Sequence, residues 1–160
     1  MEPLAVDKKG FTLVEVMVVL ILLTLSFMVF LRALNTGKTI RATSEIRTIQ
    51  SVILNSIQNE IRARRYDENL TSPWSSLLGK ELGESQVKQF DDIDDFDGYF
   101  ELSVPNYPAF SCSVAVKYVS PETSFHLPQS GQTNYKSIMV KILHPTLSAI
   151  SDTMIISSGI

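Results

Sequence analysis

The chain has 160 residues, 44% of them hydrophobic, and a net charge of −3. That length holds one modest core and no second domain of ordinary size. The acidic balance argues against nucleic acid as the main partner, because phosphate binding needs a basic surface.

The apolar content is unevenly spread. Lys8, Lys9 and Gly10 precede a run from Phe11 to Leu31 in which only Thr12, Glu15, Thr24 and Ser26 are polar. A helix of this length spans about 32 Å, close to the roughly 30 Å of a bilayer core. The run has no proline or glycine, and its hydroxyls can bond back to helix carbonyls. It is too long for the apolar core of a secretory signal peptide, and Arg32-Ala33-Leu34-Asn35 is a poor cleavage site, so a permanent single-span anchor fits better. Charge does not choose the orientation. Lys8 and Lys9 lie before the span, and Arg32, Lys38, Arg41 and Arg47 lie after it.

Glu15 is the informative residue. An acid at the centre of a membrane helix costs roughly 2.5–3.5 kcal/mol, and less near an end. Two readings follow. Glu15 sits close enough to the helix start to reach headgroups and water, or it meets an opposite charge in the apolar layer. A cut between Gly10 and Phe11 would create that charge as a new α-amino group.

The stretch Lys8-Lys9-Gly10-Phe11-Thr12-Leu13-Val14-Glu15 resembles the prepilin signal of type IV pilins and of the pseudopilins of type II secretion. The resemblance is specific over residues 8–31 and holds only in outline beyond. It implies leader recognition through Lys8, Lys9 and Gly10, and cleavage after Gly10 by a membrane prepilin peptidase. It also implies methylation of the new N-terminus at Phe11 and a globular part in the periplasm. In the assembled filament it implies an ion pair between Glu15 and the Phe11 amine of a neighbouring subunit. A neighbour at the wrong axial offset would leave both charges unpaired, so the pair sets register as well as attraction. The implied partners are other pilins or pseudopilins, the peptidase and methylase, and an inner-membrane assembly platform. Major pilins of the family often carry a proline where this chain has Arg32. That departure favours a minor pilin or a minor pseudopilin.

The helical pattern continues past the membrane. Ile46, Ile49, Ile53, Ile57 and Ile61 recur at steps of three and four, flanked by Val52 and Leu54, with Arg47, Ser51, Asn55, Asn59 and Arg62 opposite. Gly37 is the only helix-weakening residue there. One helix is predicted from about Phe11 to Arg65, roughly 80 Å long, with its second part lying on a sheet.

Charge is segregated as well. Residues 35–66 carry six bases and two acids, and residues 67–101 carry ten acids and two lysines. These are two solvated faces, or segments that attract each other within one chain or between copies. Residues 66–98 read as a connection punctuated by Asn69, Ser72-Pro73 and Gly79. The stretch SPWSSLLGKEL suggests a short helix with Ser72 as cap and Pro73 at its first position, and Trp74 packing on the domain edge.

FDDIDDFDGYF, Phe90 to Phe100, invites a calcium reading. It fails the EF-hand spacing, because with Gly98 as sixth loop residue the first is Ile93 and the twelfth Val104. Irregular calcium ligands between Asp91 and Asp97 are one alternative. The better one is a turn of helix that buries Phe90, Ile93 and Phe96 while the acids face water, with Asp97-Gly98 turning into a strand. The stretch is also similar to a segment of some minor pilins of the mannose-sensitive haemagglutinin type.

From Tyr99 the period becomes two. Strands are predicted at 99–104, 111–119, 136–143 and 149–157, with prolines 105, 108, 121 and 145 between them. Cys112, Val114, Val116 and Tyr118 share one face, as do Ile138, Val140 and Ile142. Cys112 is the only cysteine, so no internal disulfide forms, and it reads as a small core residue. Pro121 to Tyr135 is a long polar loop and the natural place for specificity.

The expected organisation is therefore a leader at 1–10, a transmembrane and filament-core helix at 11–34 and an amphipathic continuation at 35–65. A connection at 66–98 and an antiparallel sheet at 99–160 complete it. The fold class is α+β, in agreement with the pilin architecture. His126 and His144 have no acid or cysteine at ligand spacing, and there is no phosphate loop or nucleophile elbow. No enzyme activity, cofactor or metal set is predicted. The expected function is a minor type IV pilin. A minor pseudopilin and a single-span periplasmic binding or enzymatic domain are the alternatives.

Overall fold

The computed structural model describes residues 10–81 and 83–159. The leader residues before Gly10, Lys8 and Lys9 among them, lie outside the described residues. The chain forms two compact units, Met1–Ser44 and Glu45–Ile160. A single α-helix, α1 (Leu13–Arg62, 50 residues), contributes to both.

In the first unit the helix is rich in valine and isoleucine, which have only modest helical propensity. In lipid the helix forms regardless, because it is the form that satisfies every backbone polar group within one segment. Its apolar side chains from Leu13 to Leu31 are all exposed, on every side of the axis. A helix apolar all round needs an apolar solvent or other helices around it.

The second unit is helix on sheet. Strands β1 (Phe100–Glu101), β2 (Ser111–Tyr118), β3 (Tyr135–His144) and β4 (Leu147–Ser157) form one antiparallel sheet in sequential order. The period-two pattern is realised as expected. Cys112, Val114, Val116 and Tyr118 of β2 are buried, and Ile138, Val140 and Ile142 of β3 are wholly so. They form one core with Ile53, Leu54 and Ile61 of α1 and with Phe90, Ile93, Phe96, Phe110 and Met154. Each fully buried aliphatic or aromatic side chain contributes about 1.5–3 kcal/mol. The α+β, pilin-like architecture is thus present, with the helix packed on a four-stranded antiparallel sheet.

The predicted first strand shrinks to two residues. Val104 donates to the Phe110 carbonyl at 3.0 Å and Asn106 takes φ 67°, so the proline-flanked segment closes into a turn before the strand can extend. The helix–sheet contact also has a polar seam. Gln50 and Gln58 are buried at helical spacing with the isoleucines. Gln58 donates to Asp152 at 3.0 Å, and Arg47, assigned from the sequence to the solvent side, donates to the Ser148 carbonyl at 2.8 Å.

Candidate functional site

The N-terminal segment is built by a helix cap. Gly10, Phe11 and Thr12 are outside the helix, and Leu13 is its first residue. Thr12 Oγ1 accepts the Glu15 N–H at 3.2 Å, and the Thr12 carbonyl accepts the Val16 N–H at 3.2 Å. Thr12 is therefore the N-cap and Glu15 the third helical residue, the Thr-x-x-Glu arrangement of a capping box. Glu15 also lies in the first turn, where the helix dipole favours a negative charge. Sequence reasoning assigned Thr12 to back-bonding and missed this role, although the Thr-Leu-Val-Glu spacing carried the signal. Thr24 does bond back, to the Ile21 carbonyl at 2.8 Å.

The cap has a chemical consequence. The Gly10–Phe11 peptide bond stands outside the helix on exposed backbone, and Phe11 is 83% exposed. A peptide bond held in helical hydrogen bonds is a poor protease substrate, and this one has no such protection.

Residues 7–31 match the prokaryotic N-terminal methylation motif. No curated protein and no solved structure matches the chain. The motif supports the type IV pilin and pseudopilin class, and with it processing by a prepilin peptidase and assembly with other pilins. Such a motif, followed by an apolar helix, fits an inner-membrane-anchored subunit and a structural role.

In the second unit the acid run is not the solvated face predicted from the sequence. Phe90, Ile93 and Phe96 are buried as expected, with Phe90 and Phe96 edge to face at 5.0 Å. The turn is a 3-10 turn at Asp94–Phe96, however, and Asp92, Asp94 and Asp95 are buried with it. The reason is a buried cation. Lys136, wholly inaccessible, reaches from β3 and donates to the Tyr66 carbonyl at 2.7 Å, to Asp67 at 2.9 Å and to Asp94. Backbone donors take up further oxygens. Asp92 Oδ1 accepts the Asp94 N–H at 2.7 Å, and Asp95 Oδ2 accepts the Asp91 N–H at 2.9 Å. The basic stretch joins the acidic one within the chain, because Arg65 pairs with Asp91 and the two backbones form a parallel bridge.

The pKa values follow this geometry. Burial works against the charge on Asp67, but Lys136 and the donors of Ser75 and Asn69 outweigh it and hold Asp67 below the usual range. Asp94 is pushed up to about 7, by burial first and by Asp92 and Asp67, against the pull of Lys136. One ammonium thus neutralises one carboxylate fully and the second in part.

No helix forms at Ser72, contrary to the expectation. The backbone from Leu70 to Gly79 is irregular, with a cis bond between Ser72 and Pro73. Side chains elsewhere claim its polar groups. Asp67 accepts the Ser75 N–H at 3.0 Å and its hydroxyl at 2.9 Å, and the Trp74 indole donates to Asn134 at 2.9 Å. These long-range bonds replace a local cap. Trp74 itself is buried, edge to face with Tyr66 at 5.0 Å.

The loop after Pro121 folds over the sheet face opposite α1. It frames a groove of about 500 Å³ floored by Ala115, Lys117, Ser137, Met139, Thr153 and Ile155. His126 lines this groove, while His144 lies against Phe110 with ring centroids 4.7 Å apart and has the Thr146 hydroxyl 3.0 Å from its Nδ1. Cys112 is buried within the core, and burial pushes its thiol up to about 12, which makes it inert.

Proposed function

We propose that the chain is a minor type IV pilin. A prepilin peptidase cuts it after Gly10 and Phe11 is N-methylated. The subunit waits in the inner membrane with its sheet domain in the periplasm, then joins or starts a pilus through α1. The observation that supports this most is a conjunction. The methylation motif ends in a helix whose apolar surface is uncovered on all sides from Leu13 to Leu31, and that same helix supplies the core of a sheet domain. Apolar surface of this kind suits both storage in lipid and burial among neighbouring helices in a filament.

Glu15 and the new Phe11 amine are the register pair of that assembly. The cap at Thr12 holds Glu15 in the first turn, so its carboxylate stays in the layer where a neighbour's N-terminus would arrive. Arg32 within an unbroken helix favours a minor subunit over a major one. The same motif serves pseudopilins, and the Arg32 helix fits a minor pseudopilin of type II secretion equally.

Intact-mass and N-terminal analysis of the protein from native membranes tests the proposal. The expected mature species begins at Phe11 and carries one methyl group. A chain still beginning at Met1 would overturn it in favour of a single-span periplasmic domain that never polymerises.

A further inference from the structure

Two acid clusters stand side by side in the second unit, and only one is neutralised from within. Asp67, Asp92 and Asp94 surround the Lys136 ammonium. Glu81, Glu84, Asp91 and Asp95 form the other, with one oxygen from each lying within 4.8 Å of the rest. Arg65 on Asp91 is one counter-charge for four acids, and Lys80 lies over the Phe90 ring at 4.9 Å.

Asp95 is the decisive residue. It is wholly buried, and Oδ2 accepts the N–H groups of Asp91 and Asp92 at 2.9 and 3.3 Å. Oδ1 is buried with no hydrogen-bond partner among the described residues. A carboxylate oxygen taken from water and left unmatched is strongly unfavourable, so this position calls for a ligand. A proton shared with a neighbouring carboxylate would serve one oxygen, whereas a cation would serve all four residues, whose ligand atoms lie within 4.8 Å of one another.

We infer that Glu81, Glu84, Asp91 and Asp95 bind a calcium ion. The ligands are hard oxygens, as calcium requires, and Ca–O distances of about 2.3–2.6 Å put opposed ligands about 5 Å apart, which matches their spacing. The set is irregular in sequence. Glu81 and Glu84 flank Gly83, which takes φ 113°, while Asp91 and Asp95 come from the turn after Phe90. The ion therefore ties the loop before Gln86 to the Asp-rich turn, which the EF-hand spacing test could not reveal. Lys136 and calcium divide the work: an ammonium on the core side and a divalent ion on the solvent side. This inference does not depend on the pilin reading, since it concerns the sheet domain alone.

The test uses the full chain in detergent micelles, stripped with EDTA. Calcium chloride is titrated by calorimetry, and thermal unfolding is followed by Trp74 fluorescence. One ion per chain is expected, with a dissociation constant in the range of extracellular modules, about 10⁻⁴–10⁻³ M. Tm should rise by several degrees at saturation, and magnesium at equal concentration should do less. Asp95→Asn risks misfolding, because Asp95 holds two backbone N–H groups. The double variant Glu81→Gln/Glu84→Gln keeps the turn and should weaken binding at least about tenfold, as half the acidic ligands are lost. Absence of binding heat in the parent overturns the inference. So does an equal calcium response in the double variant, or a Tm that follows pH while ignoring calcium.

Discussion

Replacing Lys136 by methionine isolates the ion that lets the acid run go inside. Methionine keeps most of the volume and removes the charge. The Tyr66 carbonyl loses its donor at 2.7 Å, which costs about 1–3 kcal/mol for a buried polar group left unsatisfied. Asp67 loses the ammonium but keeps the N–H groups of Asn69 and Ser75 and the hydroxyls of Ser75 and Tyr118, so its charge is still partly supported. Asp94 already sits at about 7 and takes up a proton, which adds little at neutral pH. The sum lies toward the lower end of the roughly 3–5 kcal/mol found when one partner of a buried ion pair is removed. For a domain whose total stability is about 5–15 kcal/mol, that is a large fraction. The assay is urea unfolding of the full chain in micelles, read by Trp74, the only tryptophan, whose ring lies against Tyr66 beside the cluster. Adding Asp67→Asn and Asp94→Asn to the methionine variant should recover part of the loss, because no uncompensated charge is then buried. A loss below about 1 kcal/mol would show that the cluster is solvated and carries no such charge. A triple variant no more stable than the single one would refute the electrostatic explanation of the loss.

Glu15→Ala should leave membrane insertion intact, since it removes a charge from the span, yet reduce incorporation into filaments in a strain that supplies the other subunits; normal incorporation would sink the register role. Asp67 is held below its ordinary range, so the unfolded chain binds its proton more readily. Its stabilising contribution is present above the ordinary aspartate value of 3.8 and lost as pH falls through the lowered one. Acid unfolding of Asp67→Asn should therefore be shallower below that value, and an unchanged slope there would contradict the assignment. Ile138→Ala, in the wholly buried centre of β3, should cost about 2–5 kcal/mol. Met139→Ala on the exposed face should stay within about 0.5 kcal/mol, and chemical denaturation of the two variants measures the contrast.

Much of the fold was legible in the sequence because it rests on local periodicity. The 3.6-residue repeat of Ile46 to Ile61 and the alternation of Cys112 to Tyr118 and of Ile138 to Ile142 each describe one face of one element. A face pattern survives any arrangement that buries it. The N-terminal motif is legible for a related reason, since it is a pattern of spacing along one stretch of chain, residues 7–31. Where the sequence misled, the deciding partner was far away. The aspartates of 91–97 look like a solvated run until β3 brings Lys136 beneath them. Ser72-Pro73 looks like a helix start until Asp67 and Asn134 take its donors. Gln50 and Gln58 are buried beside the isoleucine stripe because Ser148 and Asp152 of β4 meet them.

The sequence by itself determined the apolar N-terminal run, the methylation motif, the long helix and the strand faces, because hydrophobic burial is set by which residues repeat. Only the tertiary structure decided where charge goes. Whether a carboxylate is solvated, paired with Lys136 or left with an orphan oxygen like Asp95 depends on neighbours within a few ångströms, and these come from elements far apart in the chain.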